Sequence, residues 1–128
     1  MGDVYAATDE RLSRTVAVKC IKAEIQAEHA QRFEREASIL MTLHHPNIVQ
    51  VLDSHASADS KDQLFVVTEL LKGGTLEERM GAVGGVDADT VATVGIQIAS
   101  ALEAAHALGV VHRDVKPANI FLVPVAGL

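Results

Sequence analysis

Only one cysteine, Cys20, occurs in the 128 residues, so no internal disulfide can form and a cysteine-based zinc site is excluded. Tryptophan is absent and aromatic residues make up 3% of the chain, so any core has to be assembled mainly from Val, Leu, Ile and Ala. Basic residues are in the minority: 11 Lys and Arg stand against 17 Asp and Glu, for a formal net charge of -6. A nucleic-acid partner requires a basic stripe to displace counterions from phosphates, so nucleic acid is not an expected partner. No apolar run reaches the ~20 residues of a membrane helix, and Met1 does not open a basic stretch followed by a hydrophobic segment. The expected location is therefore cytoplasmic, with any membrane anchor belonging to a longer parent protein. What the chain does have is a globular composition, 48% hydrophobic and 22% charged, enough for one domain or part of one.

The patterning runs strands, helix, strands, then helices. A short β-type run from Asp3 to Ala7, a polar turn from Asp9 to Arg14, and a second run from Thr15 to Ile21 read as a hairpin. Alternation in the second run puts Ala17, Lys19 and Ile21 on one face and Val16, Val18 and Cys20 on the other. A helix is predicted from about Ala27 to Leu43, with Phe33, Glu36, Leu40 and Leu43 in one stripe and a stop before Pro46. Further strands are expected over Ile48 to Asp53 and Leu64 to Glu69, with a surface loop from Ser54 to Gln63. Gly73-Gly74 breaks the pattern, Thr75 can cap a short helix through Met80, and Gly81 to Gly85 reads as a loop. Asp87 or Asp89 can cap a long helix ending at about Leu108 with Gly109 behind it. Its stripe of Val91, Val94, Ile98, Ala101 and Ala105, in a composition almost without charge that only Glu103 interrupts, predicts deep burial. The stretch from Val110 to Leu128 reads as strand, loop, strand. This order implies an α+β fold with a small antiparallel sheet.

Two features carry chemistry. Lys19 lies in an apolar strand and Glu36 in an apolar helical stripe, and buried single charges are costly unless paired. Either the two meet, or Lys19 snorkels to the sheet edge with Glu36 at the stripe's margin. The second feature is His112-Arg113-Asp114-Val115-Lys116-Pro117-Ala118-Asn119, which follows an apolar helix. Its carboxylate can accept a hydroxyl proton, its lysine can neutralise phosphate oxygens and its asparagine can ligate a hard cation. His44-His45 beside Pro46 fits packing and a turn better than metal binding, His106 fits a core edge, and Cys20 faces away from Lys19.

His112 to Asn119 resembles the catalytic-loop signature H-R-D-x-x-x-x-N of protein kinases. Val16-Ala17-Val18-Lys19 is similar to that family's V-A-I-K strand, and Gly2-Asp3-Val4-Tyr5 to the end of its glycine-rich loop. His45-Pro46-Asn47-Ile48-Val49 and Gly73-Gly74-Thr75-Leu76 resemble further stretches of the family, and all five stand in its order. Lys116, two residues after Asp114, is the serine/threonine form, while Met1 to Tyr5 and Phe33 to Ala37 look like bacterial receptor-type serine/threonine kinases.

The resemblance implies a kinase-like α+β fold, with residues 1–71 as N-lobe and hinge and residues 72–128 as the start of a helical C-lobe. It implies that Lys19 holds the phosphates of ATP and pairs with Glu36. Gly2 would close the phosphate loop, Val4 and Ala17 would lie over the adenine, and Thr68 would be the gatekeeper before a hinge from Glu69 to Leu71. Asp114 would accept the substrate proton, Lys116 would stabilise the transferring phosphoryl group and Asn119 would bind Mg2+. The implied partners are ATP and a protein carrying Ser or Thr. The pattern's first two glycines and its D-F-G and A-P-E segments are not found in the sequence. On the resemblance this predicts a kinase domain cut at both ends, a sheet one strand short, exposed apolar surface on the long helix and little phosphoryl transfer. The missing half of the domain is then a further implied partner. The alternatives are a non-catalytic, pseudokinase-like nucleotide-binding or interaction module, and an incomplete gene product.

Overall fold

The computed structural model describes residues 2–22, 27–57 and 63–124, which fall into two compact units divided between Leu70 and Leu71. The first is built on a four-stranded antiparallel sheet from β1 (Gly2–Asp9), β2 (Arg14–Lys22), β3 (Val51–Ser57) and β4 (Gln63–Glu69), in the order β1-β2-β4-β3. Sequence and structure agree on the hairpin, and Asp9 shows why it turns there. Its Oδ1 accepts the backbone N–H groups of Arg11 (3.0 Å) and Leu12 (3.4 Å), while Oδ2 meets Arg14 Nε at 3.4 Å. These bonds hold the turn tightly enough for Ser13 to adopt the left-handed conformation at φ 50°.

Helix α1 (Ala27–Thr42) packs against β3, an edge strand of the sheet. Its buried face differs from the expected stripe. Ala37 is buried to 4% exposure and Phe33 and Leu40 are half-buried, whereas Glu36 is exposed. Ala37 therefore takes the inward position, one residue further round the helix. Leu43, just beyond the last turn, is buried with Val16 and Val51 in the core of this unit. The third strand is displaced from its expected place. Ile48 lies in a turn, its N–H donating to the His45 carbonyl at 3.1 Å, and β3 begins only at Val51. Pairing of β3 with β4 then continues to Ser57↔Gln63, past the Ser54 at which a loop was expected, with a bulge between Val51 and Asp53. Residues 58–62 of that loop lie outside the described residues.

The second unit opens on β5 (Gly74–Thr75), which pairs antiparallel with β6 (Phe121–Leu122). Thr75 caps α2 (Leu76–Val83), its Oγ1 accepting the Glu78 N–H at 3.1 Å. This helix runs through Gly81, where a loop was expected, because Gly84 at φ 74° supplies the left-handed stop three residues later. Asp87, one of the two expected caps, starts α3 (Ala88–Ala107) by accepting the Thr90 N–H at 2.9 Å.

The expected deep burial of α3 is not found. Within this helix only Ala101 and Ala105 are buried, while Val91 is 59% and Ile96 72% exposed. The apolar composition was legible, but most of the helix surface stays exposed. The first strand expected after it is absent as well. Residues 110–116 pair with no strand, and a 3-10 turn at Pro117–Asn119 leads directly into β6. Among the described residues no helix is long and apolar enough to cross a membrane.

The Asp87 cap makes a pH prediction. Hydrogen bonds from the Thr90 side chain and then the Thr90 backbone hold its carboxyl below the ordinary value of 3.8. A lowered native pKa means the cap stabilises fully above that value and loses its contribution as pH falls through the native one. Helicity followed by circular dichroism should therefore fall on acidification below pH 3.8 in the wild type. The Asp87→Ala variant should be weaker at neutral pH and lack this component of the acid loss. An unchanged acid titration in the variant would remove Asp87 as its cause.

Candidate active site

In the first unit, sheet register decides which side chains meet. Val4 pairs with Lys19, and Lys19 with Val66; two residues along, Ala6 pairs with Ala17 and Ala17 with Thr68. Residues directly opposite in an antiparallel pair share a face, and so do residues two apart. Val4, Ala17, Lys19 and Thr68 thus stand together on one face of the sheet, and Cys20 on the other. Gly2 pairs with Ile21 at the start of β1.

The expected partnership of Lys19 with Glu36 does not occur. Among the described residues the ion pairs include Arg14–Asp9 and Lys116–Asp114, but Lys19–Glu36 is not one of them. Both Lys19 and Glu36 are exposed, so neither charge pays the desolvation penalty that made pairing attractive. The helix also packs on β3, whereas Lys19 belongs to β2, with β4 between them in the sheet.

At the end of β4, the Thr68 hydroxyl donates to the Glu69 carbonyl at 3.1 Å. Glu69 is exposed, and Leu71, the first residue of the second unit, is half-buried. Near Glu69 an open depression of about 490 Å³ is lined by His44, His45, Pro46, Ile48, Gln50 and Glu69. His45 accepts the Asn47 N–H on Nδ1 at 3.0 Å, the turn-forming role expected of it. Among the described residues no group of three or more His, Cys, Asp or Glu could hold a metal ion.

In the second unit, three of the residues singled out from sequence converge. Asn119 Nδ2 donates to the Asp114 backbone carbonyl at 2.9 Å and to its Oδ2 at 3.1 Å. Lys116 Nζ lies 3.6 Å from the same Oδ2. The 3-10 turn, with Pro117 at its start, brings Asn119 back over Asp114. On the other side, His112 Nδ1 accepts the Asp114 N–H at 3.1 Å, and Arg113 between them takes the left-handed conformation at φ 68°. Asp114 is thereby held through its N–H, its carbonyl and its carboxylate, while its side chain stays 64% exposed and open to a reactant. Because both bonds use Asn119 Nδ2, its Oδ1 remains as an acceptor for a hard cation.

Two residues not singled out individually as site residues position this loop and the end of β4. Gly73 has φ 135°, and a Cβ there would lie 2.2 Å from the Leu122 carbonyl oxygen, so glycine is what lets this backbone approach the strand that follows the loop. The Leu76 N–H donates to the Ile120 carbonyl at 2.7 Å and completes the attachment. The glycine pair was visible in the sequence, but not what it approaches. The other residue is Gln50, for which the sequence carries no signal.

The chain is similar to known proteins over nearly its whole length. The model of the protein kinase domain matches residues 1–126. A probable serine/threonine-protein kinase of Clostridium perfringens is 39% identical over 124 residues, covering 95% of this chain and 18% of the relative. The serine/threonine-protein kinase PknJ of Mycobacterium tuberculosis is 38% identical over 129 residues, covering 99% of this chain and 21% of the relative. Among solved structures, that of Rad53 residues 1–466 in complex with AMP-PNP aligns with a TM-score of 0.80 at 30% identity, over 94% of this chain and 31% of the other. The chain thus spans about a fifth of the length of these two curated relatives.

Proposed function

Because this chain belongs to the protein kinase domain family, we propose that it serves ATP-dependent phosphoryl transfer to a serine or threonine hydroxyl of a protein, in the cytoplasm. The observation that carries the reading is the loop in which Lys116 and Asn119 both converge on one oxygen of an exposed Asp114. In this proposal residues 1–71 form the N-lobe and hinge, and residues 72–128 begin the C-lobe. The residues present fit the two ligands the family uses. The face carrying Val4, Ala17, Lys19 and Thr68 offers apolar surface beside one exposed cation, as a nucleotide requires. Gly2 and the backbone from Glu69 to Leu71 complete the nucleotide-binding set, and Asn119 Oδ1 is an oxygen ligand suited to Mg2+. Glu36 has no role here as the partner of Lys19.

When bound, ATP supplies the phosphoryl group and Mg2+ neutralises its charge. The chain supplies the rest. Asp114 accepts the proton of the attacking hydroxyl as its oxygen bonds to the γ-phosphorus and the bond to the bridging oxygen breaks. Lys116, 3.6 Å from the Asp114 carboxylate, would stabilise the equatorial oxygens of the transferring group, and Asn119 and His112 keep Asp114 aimed. The acceptor class follows from Lys116, the serine/threonine form of the loop.

The test is Mg2+-dependent ATP binding to the purified chain, with Lys19→Met beside it. Wild-type binding should weaken about tenfold in the variant, the scale of one charge-assisted contact to phosphate. Equal binding by both proteins would count against Lys19 as the phosphate anchor, and no binding by either would count against the nucleotide reading. Binding with no transfer under any condition would favour a non-catalytic nucleotide-binding module.

A further inference from the structure

Gln50 joins three pieces of the first unit. Its half-buried side chain donates through Nε2 to the Met41 carbonyl in the last turn of α1 (3.3 Å) and to the Val51 carbonyl at the start of β3 (2.9 Å). Its backbone faces Glu69. Continuing the ladder past Val51↔Thr68 would pair Gln50 with Glu69 through two backbone bonds. One of them forms, the Glu69 N–H donating to the Gln50 carbonyl at 3.1 Å. The other is replaced: the Gln50 N–H donates to the Glu69 carboxylate, Oε1, at 3.0 Å. The Glu69 side chain thus bends back to occupy the ladder position of an acceptor, while the Glu69 carbonyl receives the Thr68 hydroxyl. Backbone and side chain of Glu69 are both tied down at the point where the sheet ends.

We propose that this Gln50–Glu69 clamp is a positioning device for base recognition: it fixes the backbone of the first hinge residue so that its carbonyl, which keeps a second lone pair beside the Thr68 hydroxyl, accepts the amino group of adenine where guanine offers only a carbonyl oxygen. The proposal rests on the nucleotide-binding reading above. Neither the Gln50 side chain nor the Glu69 carboxylate touches the base. They act through the main chain of Glu69, and the Nε2 bond to Met41 makes the last turn of α1 part of the same support. A hydrogen bond to a carboxylate is stronger than a neutral one, so its loss should be felt in binding as well as in local order.

The experiment compares Mg2+-ATP and Mg2+-GTP affinities by calorimetry for the wild-type chain, Glu69→Ala, Glu69→Gln and Gln50→Met, with thermal unfolding in parallel. Glu69→Ala and Gln50→Met should weaken ATP binding about tenfold while GTP binding changes by less than about threefold, which narrows the preference. Glu69→Gln keeps an oxygen acceptor for the Gln50 N–H and should recover most of the ATP preference lost in Glu69→Ala. Should Gln50→Met fail to fold, Glu69→Ala, at an exposed position, decides the matter. An unchanged ATP-to-GTP ratio in Glu69→Ala, including a proportional loss of both affinities, overturns the clamp's role and leaves nucleotide binding standing. A wild-type chain that binds neither nucleotide overturns both readings together.

Discussion

Replacing Gly73 with alanine will destabilise the second unit by roughly 3 kcal/mol or more, while the same change at Gly81 will be neutral or stabilising by about 0.5–1 kcal/mol. Both sites are glycines of one short region, and their surroundings set the opposite signs. Gly81 lies inside α2 with nothing within 4 Å of an added Cβ, so alanine only improves the helix propensity. Gly73 has φ 135°, a region that side chains disfavour, and its added Cβ would lie 2.2 Å from a backbone oxygen, that of Leu122. A backbone oxygen held in the β5–β6 pairing cannot swing aside as a side-chain tip would. Strain and overlap both act at the junction that fastens the segment following Asn119 to the start of α2. Urea unfolding of the two variants, with hydrogen exchange at the Leu76 amide, reads the effect directly. That amide donates to Ile120 at 2.7 Å and should lose protection in Gly73→Ala alone. Equal unfolding midpoints for the two variants would show that the close approach contributes nothing.

Much of this architecture was legible because it rests on local chemistry. Asp9 and Ser13 make the hairpin turn, Thr75 and Asp87 cap helices, and alternation along β2 sets Lys19 on the face of Ala17 and opposite to Cys20. Each of these depends on residues at most a few positions apart. The ordered polar residues from His112 to Asn119 were legible for the same reason, since the bonds among His112, Asp114 and Asn119 span two to five residues.

What escaped the sequence depends on long-range packing. Spacing from Phe33 and Leu40 places Glu36 in the apolar stripe, but Ala37 is the residue the sheet side buries. A 3.6-residue period leaves neighbouring positions close in angle, and only the packed partner decides between them. The Lys19–Glu36 pairing failed on the same ground, because it presupposed burial that neither side chain has. The length of β3 was set by pairing to β4 rather than by its own residues, and burial of α3 was inferred from composition without a partner to cover it. Gln50 was invisible altogether: its side chain acts on Met41 nine positions back, and its backbone on Glu69 nineteen positions ahead.

The loop itself makes the last and most discriminating prediction. Asn119→Leu should reduce the Mg2+-dependent gain in ATP affinity ten- to hundredfold, roughly the range seen when support for a metal site is lost. Asn119 has two separable functions. Its Nδ2 holds Asp114 by two hydrogen bonds of 2.9 and 3.1 Å, and its Oδ1 is left for the proposed role of oxygen ligand. Leucine is of similar size and removes both. Asn119→Asp separates them, because a carboxylate keeps the oxygen, gives up the donor and sets a second negative charge near Asp114 Oδ2. If ligation dominates, Asn119→Asp will retain most of the Mg2+ dependence that Asn119→Leu loses. If the hold on Asp114 dominates, both variants will lose it, since Lys116 at 3.6 Å would be the only remaining tether to that carboxylate among the described residues. Calorimetric titrations of ATP with and without Mg2+ distinguish the cases, and retention of the full Mg2+ dependence by Asn119→Leu would remove Asn119 from the cation site.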